Sequence, residues 1–277
     1  MKYIIIRNLK LIIRDKVTIF FTFMSPIILL FLYFAFFRGS IEGQGTQISD
    51  YSVFSAVIIL VVFSAALGGV GRYVDDKIEE VNKDFVVTPI SRIKLTIGIL
   101  ASATVISSVV GMIFVLIIQI GFLMLGYSVL PLLTILKSMG IVIISGAICS
   151  ALLFFPITFI NSSGGYSGFA SVASMLFAFL SGLYIPLGTM KGIAYNISIL
   201  NPLTHLVRFL KYIVIEGAGL INAFIPENVK ADIFHLLGIT LKIGDHNITM
   251  MESVIYLSVF TIILTILCTL RIRNIKK

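Results

Sequence analysis

Charge is what this sequence has least of. Only 12% of its 277 residues are charged and 58% are hydrophobic, whereas a soluble domain carries roughly a quarter charged residues. A soluble surface cannot be built from so few charges, and a single transmembrane domain over residues 1–277 is the economical reading. Cysteine is nearly absent as well. Cys149 and Cys268 stand alone inside apolar segments, which excludes a disulfide framework and leaves both as small core residues. No G-x-x-x-x-G-K-[ST] phosphate loop occurs, since Gly164-Gly165 and Gly69 to Gly71 lack the lysine and the spacing. No span, as drawn from hydropathy, holds a carboxylate, lysine or arginine. That disfavours a proton- or ion-coupled carrier, which usually keeps an ionisable group near the midplane. It also disfavours an intramembrane enzyme, because no acid/base or metal cluster can be assembled.

What the chain does have is long apolar runs. Charge-free stretches of about 20 residues, at 1.5 Å per residue, cross a hydrocarbon core. Such stretches predict spans at 17–37, 51–71, 95–125, 138–160, 169–185 and 253–270. The first is longer than the apolar part of a secretory signal and no small-residue cleavage site follows it, so it is read as a span. The third is long enough to tilt, and Gly98, Gly111 and Gly121 give it places to bend.

The net charge of +8 does not point to nucleic acid, because the basic residues flank apolar runs. Their distribution sets orientation instead. Fourteen Lys and Arg lie in the N-terminal segment, the loop after the second span and the tail, against seven in the alternate connections. Both termini are therefore expected in the cytoplasm and the protein in the plasma membrane. Residues 1–16 place Arg7, Lys10 and Arg14 on one helical face and Ile5, Leu9, Ile12 and Ile13 on the other. This is the pattern of an interfacial helix on the inner leaflet, the alternative being a continuation of the first span.

The loop at 72–94 holds five of the thirteen acidic residues. Val74, Ile78, Val81 and Phe85 form an apolar stripe, with Asp75, Asp76, Glu79, Glu80 and Asp84 on the remaining faces. A short amphipathic helix stopped by Thr88-Pro89 is predicted. It serves either as a solvated cap or as a docking helix, whose apolar ridge fills a groove while its carboxylates fix orientation.

Taken together, the basic amphipathic start, six spans, the acidic helix, the segment DFVVTPISRIKLTIG with Thr88, Pro89, Arg92 and Lys94, and the stretch NPLTHLVRFLKYIVIEG from Asn201 to Gly217 resemble the membrane subunits of type 2 ABC exporters. The resemblance implies an all-α, six-span permease with short re-entrant helices in 186–252. It implies an ABC ATPase partner that binds ATP and Mg, and a second permease, identical or paralogous. It also implies that Asp75, Asp76, Ile78, Glu79, Glu80, Val81 and Phe85 form the coupling helix. The permease itself carries no cofactor and performs no chemistry.

Other features have two readings each. His205, Arg208 and Lys211 recur every three residues and either snorkel to lipid headgroups, the favoured reading, or meet an anionic substrate group. Ser174, Ala178 and Gly182 repeat every four residues, so a helix can approach closely, from the same chain or across a dimer seam. The aromatics of the first span, Phe20, Phe23 and Phe34 among them, form interfacial belts or line a pathway. An aromatic, nearly uncharged interior suits a drug, antibiotic, amphipathic peptide or lipid-like substrate. Polysaccharide or teichoic acid export, or a non-transporting immunity or scaffold protein, are the alternatives.

Overall fold

The structure is a computed structural model that describes residues 2–38, 44–80, 91–183, 185–221, 227–244 and 246–274. Among these, six helices are long and apolar enough to cross a membrane. The chain is an all-α integral membrane protein, with one small antiparallel hairpin as the exception, β1 (Leu241–Ile243) against β2 (His246–Ile248).

A first helix, α1 (Lys2–Arg14), ends before Asp15, which caps α2 (Lys16–Leu32). The start of the chain is thus a separate element, not an extension of the first span. Its buried face is Ile4, Asn8 and Ile12, while Ile13 is exposed, so the apolar face lies about a third of a turn from the one expected. Beyond Leu32 the chain continues as a π-helical turn, Tyr33–Phe37, a widening common where helices carry special side-chain arrangements.

The second spanning helix, α3 (Gln44–Ile78), is 35 residues long and hence about 50 Å, well beyond the predicted 51–71. It is the axis of the bundle. Of its most apolar stretch 83% is buried, against 18% for α2. It packs on α2, α4 (Arg92–Met124), α5 (Leu132–Ile157), α6 (Ser163–Leu180) and α8 (Pro202–Gly217). No break interrupts α4 at its glycines. Gly111 instead marks a close approach, since a Cβ there would stand 2.5 Å from Val62 of α3 and 2.7 Å from Val142 of α5. Hydroxyls inside the spans bond back to their own helices, as Ser55 to the Tyr51 carbonyl at 2.7 Å and Ser150 to that of Gly146 at 2.7 Å. These two hydroxyls are thereby satisfied within their own helices.

Short helices fill the stretch before the last span: α7 (Ile193–Leu200), α8 and α9 (Glu227–Leu236). Pro202 opens α8 behind the Asn201 cap, whose side chain accepts from the Leu203 N–H at 3.1 Å. At 16 residues α8 is about 24 Å long, too short to span, and it is buried against α3, α5 and α10 (Met250–Asn274). The bundle therefore has two chemically different ends. One holds α1, the end of α3 and the α5–α6 turn; the other holds the start of α3 and α7 to α9.

Candidate functional site

The α1 end of the bundle gathers most of the ionic chemistry. No glycine or proline follows Gly71 before Pro89, so nothing stops the helix at the edge of the apolar run and α3 carries on through Ile78. Val74 is fully buried and Asp76 nearly so. The Arg7 guanidinium of α1 forks onto the Asp76 carboxylate, with Nη1 donating to Oδ2 at 2.9 Å and Nη2 to Oδ1. Such planar two-point pairing fixes direction as well as distance. Beside it, Asn8 Nδ2 donates to Ser102 Oγ of α4 at 3.0 Å. One face of α1 is thus tied to two spans.

Arg72, one turn back on α3, bridges Asp15 and Asp75, the latter at 3.3 Å. Asp15 is also the cap of α2, accepting from the Thr18 N–H at 3.0 Å and the Thr18 hydroxyl at 2.7 Å. These two bonds, and then Arg72, hold the Asp15 carboxyl down at about 2. The hinge between α1 and α2 is therefore anchored to α3.

Lys77 faces the other way. Its Nζ donates to the carbonyls of Thr158 at 2.8 Å and Ile160 at 2.9 Å and to Asn161 Oδ1 at 3.2 Å, and it lies 4.7 Å from the Tyr73 ring centroid. A cation at the end of α5 satisfies carbonyls that the helix leaves open. Tyr166 of α6 donates to the Leu67 carbonyl at 3.0 Å, and its ring fits because position 71 is glycine; a Cβ there would stand 2.4 Å from the phenolic oxygen. The last three turns of α3, from Leu67 to Lys77, thus hold α1, the α2 cap, α5 and α6 at once.

This changes the reading of the acidic segment. Asp75 and Asp76 do not belong to a separate amphipathic helix; they are the last turn of the second span and their charges are matched by Arg72 and Arg7. Ile78, Glu79 and Glu80 are the exposed members of the set. Glu80, at φ 59°, turns the chain out of the helix. Val81 and Phe85 lie outside the described residues.

The pathway candidates divide. Phe23 stacks on Phe114 at 5.7 Å between centroids, Phe34 lies 6.1 Å from Phe54, and all four line a groove of about 450 Å³ between α2 and α4. Ser174 and Ala178 line a second groove, about 580 Å³, between α2 and α6 with Met24, Ile28 and Leu29. Phe20 is exposed and pairs only with Phe21, edge to face at 5.5 Å. Gly182 does not continue the small-residue stripe: α6 ends at Leu180, and Gly182 sits at φ 76° in the turn beyond it, against Leu187.

Two features escaped the sequence reading. Asp50, six residues into α3, is fully buried, which corrects the inference that the spans hold no carboxylate. It accepts from the hydroxyls of Tyr33 and Tyr127, each at 2.7 Å, and pairs with Arg38 Nε at 3.1 Å. The hydropathy window began one residue too late to include it. The second is α8. His205, Arg208 and Lys211 do not snorkel to headgroups; all three are buried inside the protein. His205 Nε2 meets the Ile199 carbonyl at 2.8 Å, and Arg208 reaches the carbonyls of Ile239 at 2.6 Å and Ile248 at 2.7 Å and the Ser253 hydroxyl at 2.8 Å. Three basic residues on one face directly behind an Asn-Pro cap, His205, Arg208 and Lys211, were the available signal for a buried polar seam. Among the described residues, no group of three or more His, Cys, Asp or Glu is placed to hold a metal ion.

No curated protein matches the chain significantly. The ABC-2 type transporter family profile matches residues 1–215, which takes in α1, the Arg7–Asp76 pair, the whole of α3 and the buried cations of α8. The chain belongs to the ABC-2 type transporter family, as its membrane-spanning permease.

Proposed function

We propose that this permease forms the translocation pathway of an ATP-driven exporter, with ATP and Mg held by a separate ABC ATPase subunit that docks at the α1 end of the bundle. The observation that carries this reading is the ending of α3, where exposed Ile78, Glu79 and Glu80 project beyond a helix whose final turns are bonded to four other elements. A push on those residues moves α1, the α2 cap, α5 and α6 together, because packed helices transmit displacement as rigid bodies. On this reading the α1 end is cytoplasmic, with both termini inside and the chain in the plasma membrane, as the basic-residue count supports.

The ATPase shifts the permease only if it binds its two states unequally. Exposed carboxylates beside an isoleucine offer a contact with both orientation and affinity. A second permease, a further copy or a paralogue, completes the pathway with the lipid-facing sides of α2 and α6. These helices carry the two apolar grooves, which suit a hydrophobic or amphipathic cargo such as a drug, antibiotic, peptide or lipid.

The test is co-purification with the candidate ATPase in nanodiscs, followed by substrate stimulation of hydrolysis. Ile78→Asp and the pair Glu79→Lys, Glu80→Lys should weaken assembly and remove stimulation. Assembly and stimulation intact in both variants would rule out docking at the end of α3.

A further inference from the structure

Arg208 and Lys211 are buried to the same degree, 4% and 3% exposed, and are served very differently. The guanidinium has carbonyl and hydroxyl acceptors for all three nitrogens. The Lys211 ammonium, with three donors to place, has one acceptor among the described residues, the Leu237 carbonyl at 3.0 Å. Burying an ammonium with a single neutral partner is unfavourable, and such a charge calls for an anion.

Lys211 opens onto a cavity of about 230 Å³ between α2, the start of α3, the turn after α6 and α8, lined also by Tyr33, Ser49 and Ser52. Among the described residues it is the only charged one in that lining. Asp50, which accepts from the hydroxyl of the lining residue Tyr33, is already matched by Arg38. Leu29 and Leu32 line this cavity and also the 580 Å³ groove between α2 and α6, so the two spaces adjoin. The smaller is largely apolar but holds the Lys211 side chain and the Ser49 and Ser52 hydroxyls; the larger is walled by Phe21, Met24, Ile28 and Met175.

We propose that this composite space is a binding site for an anionic amphiphile, its phosphate or carboxylate head on Lys211 and the hydroxyls of Ser49 and Ser52, its apolar tail in the groove between α2 and α6. The proposal rests on the permease reading and narrows its cargo or bound effector to a negatively charged, tailed molecule. Charge complementarity selects the head, and the adjoining apolar wall selects the tail. A neutral or cationic amphiphile would leave the ammonium without its partner.

The chain contains no tryptophan, so Phe179→Trp in the groove wall supplies a single aromatic reporter. The full chain in phosphatidylcholine nanodiscs is titrated with phosphatidic acid, a fatty acid or phosphatidylcholine, each with a dibrominated tail that quenches indole on contact. An anionic probe is expected to quench at about tenfold lower mole fraction than the zwitterionic one, the scale of one charge-assisted hydrogen-bonded contact. Preference for phosphatidic acid assigns a phosphate head and preference for the fatty acid a carboxylate. Lys211→Met should erase the preference and Lys211→Arg retain it. Leu32→Phe, which narrows the junction of the two spaces, should weaken anionic quenching without touching the charge. Equal quenching by anionic and zwitterionic probes, or a preference that survives Lys211→Met, would overturn the site and leave Lys211 as a cap on the turn after α9. Association with the ATPase is measured on the same preparation of the parent chain. Anion preference without association supports the site and counts against the coupled-permease reading; association without anion preference does the reverse.

Discussion

Lys77 Nζ stands 2.8 Å from the carbonyl oxygen of Thr158, so the last turn of α3 supplies the cation that closes the end of α5. Lys77→Met should cost about 1–3 kcal/mol, the range for losing charged hydrogen bonds to otherwise open carbonyls. Amide exchange at residues 158–161 should accelerate while the middle of α5 keeps its protection. Unchanged exchange there would mean that water serves the carbonyls equally well.

The fork between Arg7 and Asp76 joins α1 to the central helix, with Asp76 much the more buried partner. Asp76→Asn and Arg7→Gln should each lower the thermal midpoint in detergent. A double-mutant cycle should return a coupling of about 1–2 kcal/mol, because contacting residues are not additive. A coupling near zero would show α1 held by its apolar face alone.

Gly71→Ala should be destabilising out of proportion to one methyl group, because its Cβ would meet the Tyr166 ring. The same substitution in a Tyr166→Ala background should be close to neutral. The pair separates a steric cause from loss of backbone freedom, which would persist in both backgrounds.

Asp50→Asn leaves Arg38 facing two tyrosines without its carboxylate. Removing one member of a buried pair typically costs about 3–5 kcal/mol, reduced here because Arg38 is partly exposed. Tyr33→Phe and Tyr127→Phe should each cost less, about 1.5–3 kcal/mol for a bond to a charged acceptor. Chemical denaturation in mild detergent ranks the three, and an Asp50→Asn value below either tyrosine would contradict the arrangement.

Both native cysteines are buried, so a Glu79→Cys variant gives a clean topological reporter. Membrane-impermeant maleimide should label it in inside-out vesicles and leave it unlabelled in intact cells. Labelling in intact cells would reverse the proposed orientation.

The apolar runs made the number of spans and the all-helical class readable, because hydrocarbon demands long uncharged helices. Hydropathy misplaced both ends of α3, and for one reason. At Asp50, Asp76 and Lys77 the helix outlasts the uncharged run, since each charge finds a partner on another element. That partner lies 12 residues away for Asp50, ahead of α3, and 69 for Asp76 and 81 for Lys77, the last two beyond any local window. The same blindness turned α8 from a buried polar seam into a snorkelling helix. Its cations answer carbonyls from the hairpin and the turn after α9, contacts that only the folded chain brings together. At the α1 end, the acidic stretch was read as a separate helix, whereas Asp75 and Asp76 are paired inside the bundle with Arg72 and Arg7.

The burial of α3 on nearly every side also sets how its sequence can drift. Lipid-facing residues of α10 such as Ile255, Val259, Ile262 and Ile266 answer only to a fluid solvent, which accepts any aliphatic shape. Val57, Val61 and Val62 of α3 answer to fixed neighbours that accept one volume. A saturation library selected for expression should therefore recover Leu, Ile, Val and Phe interchangeably along that face of α10, and little beyond the parental residue at those three positions of α3.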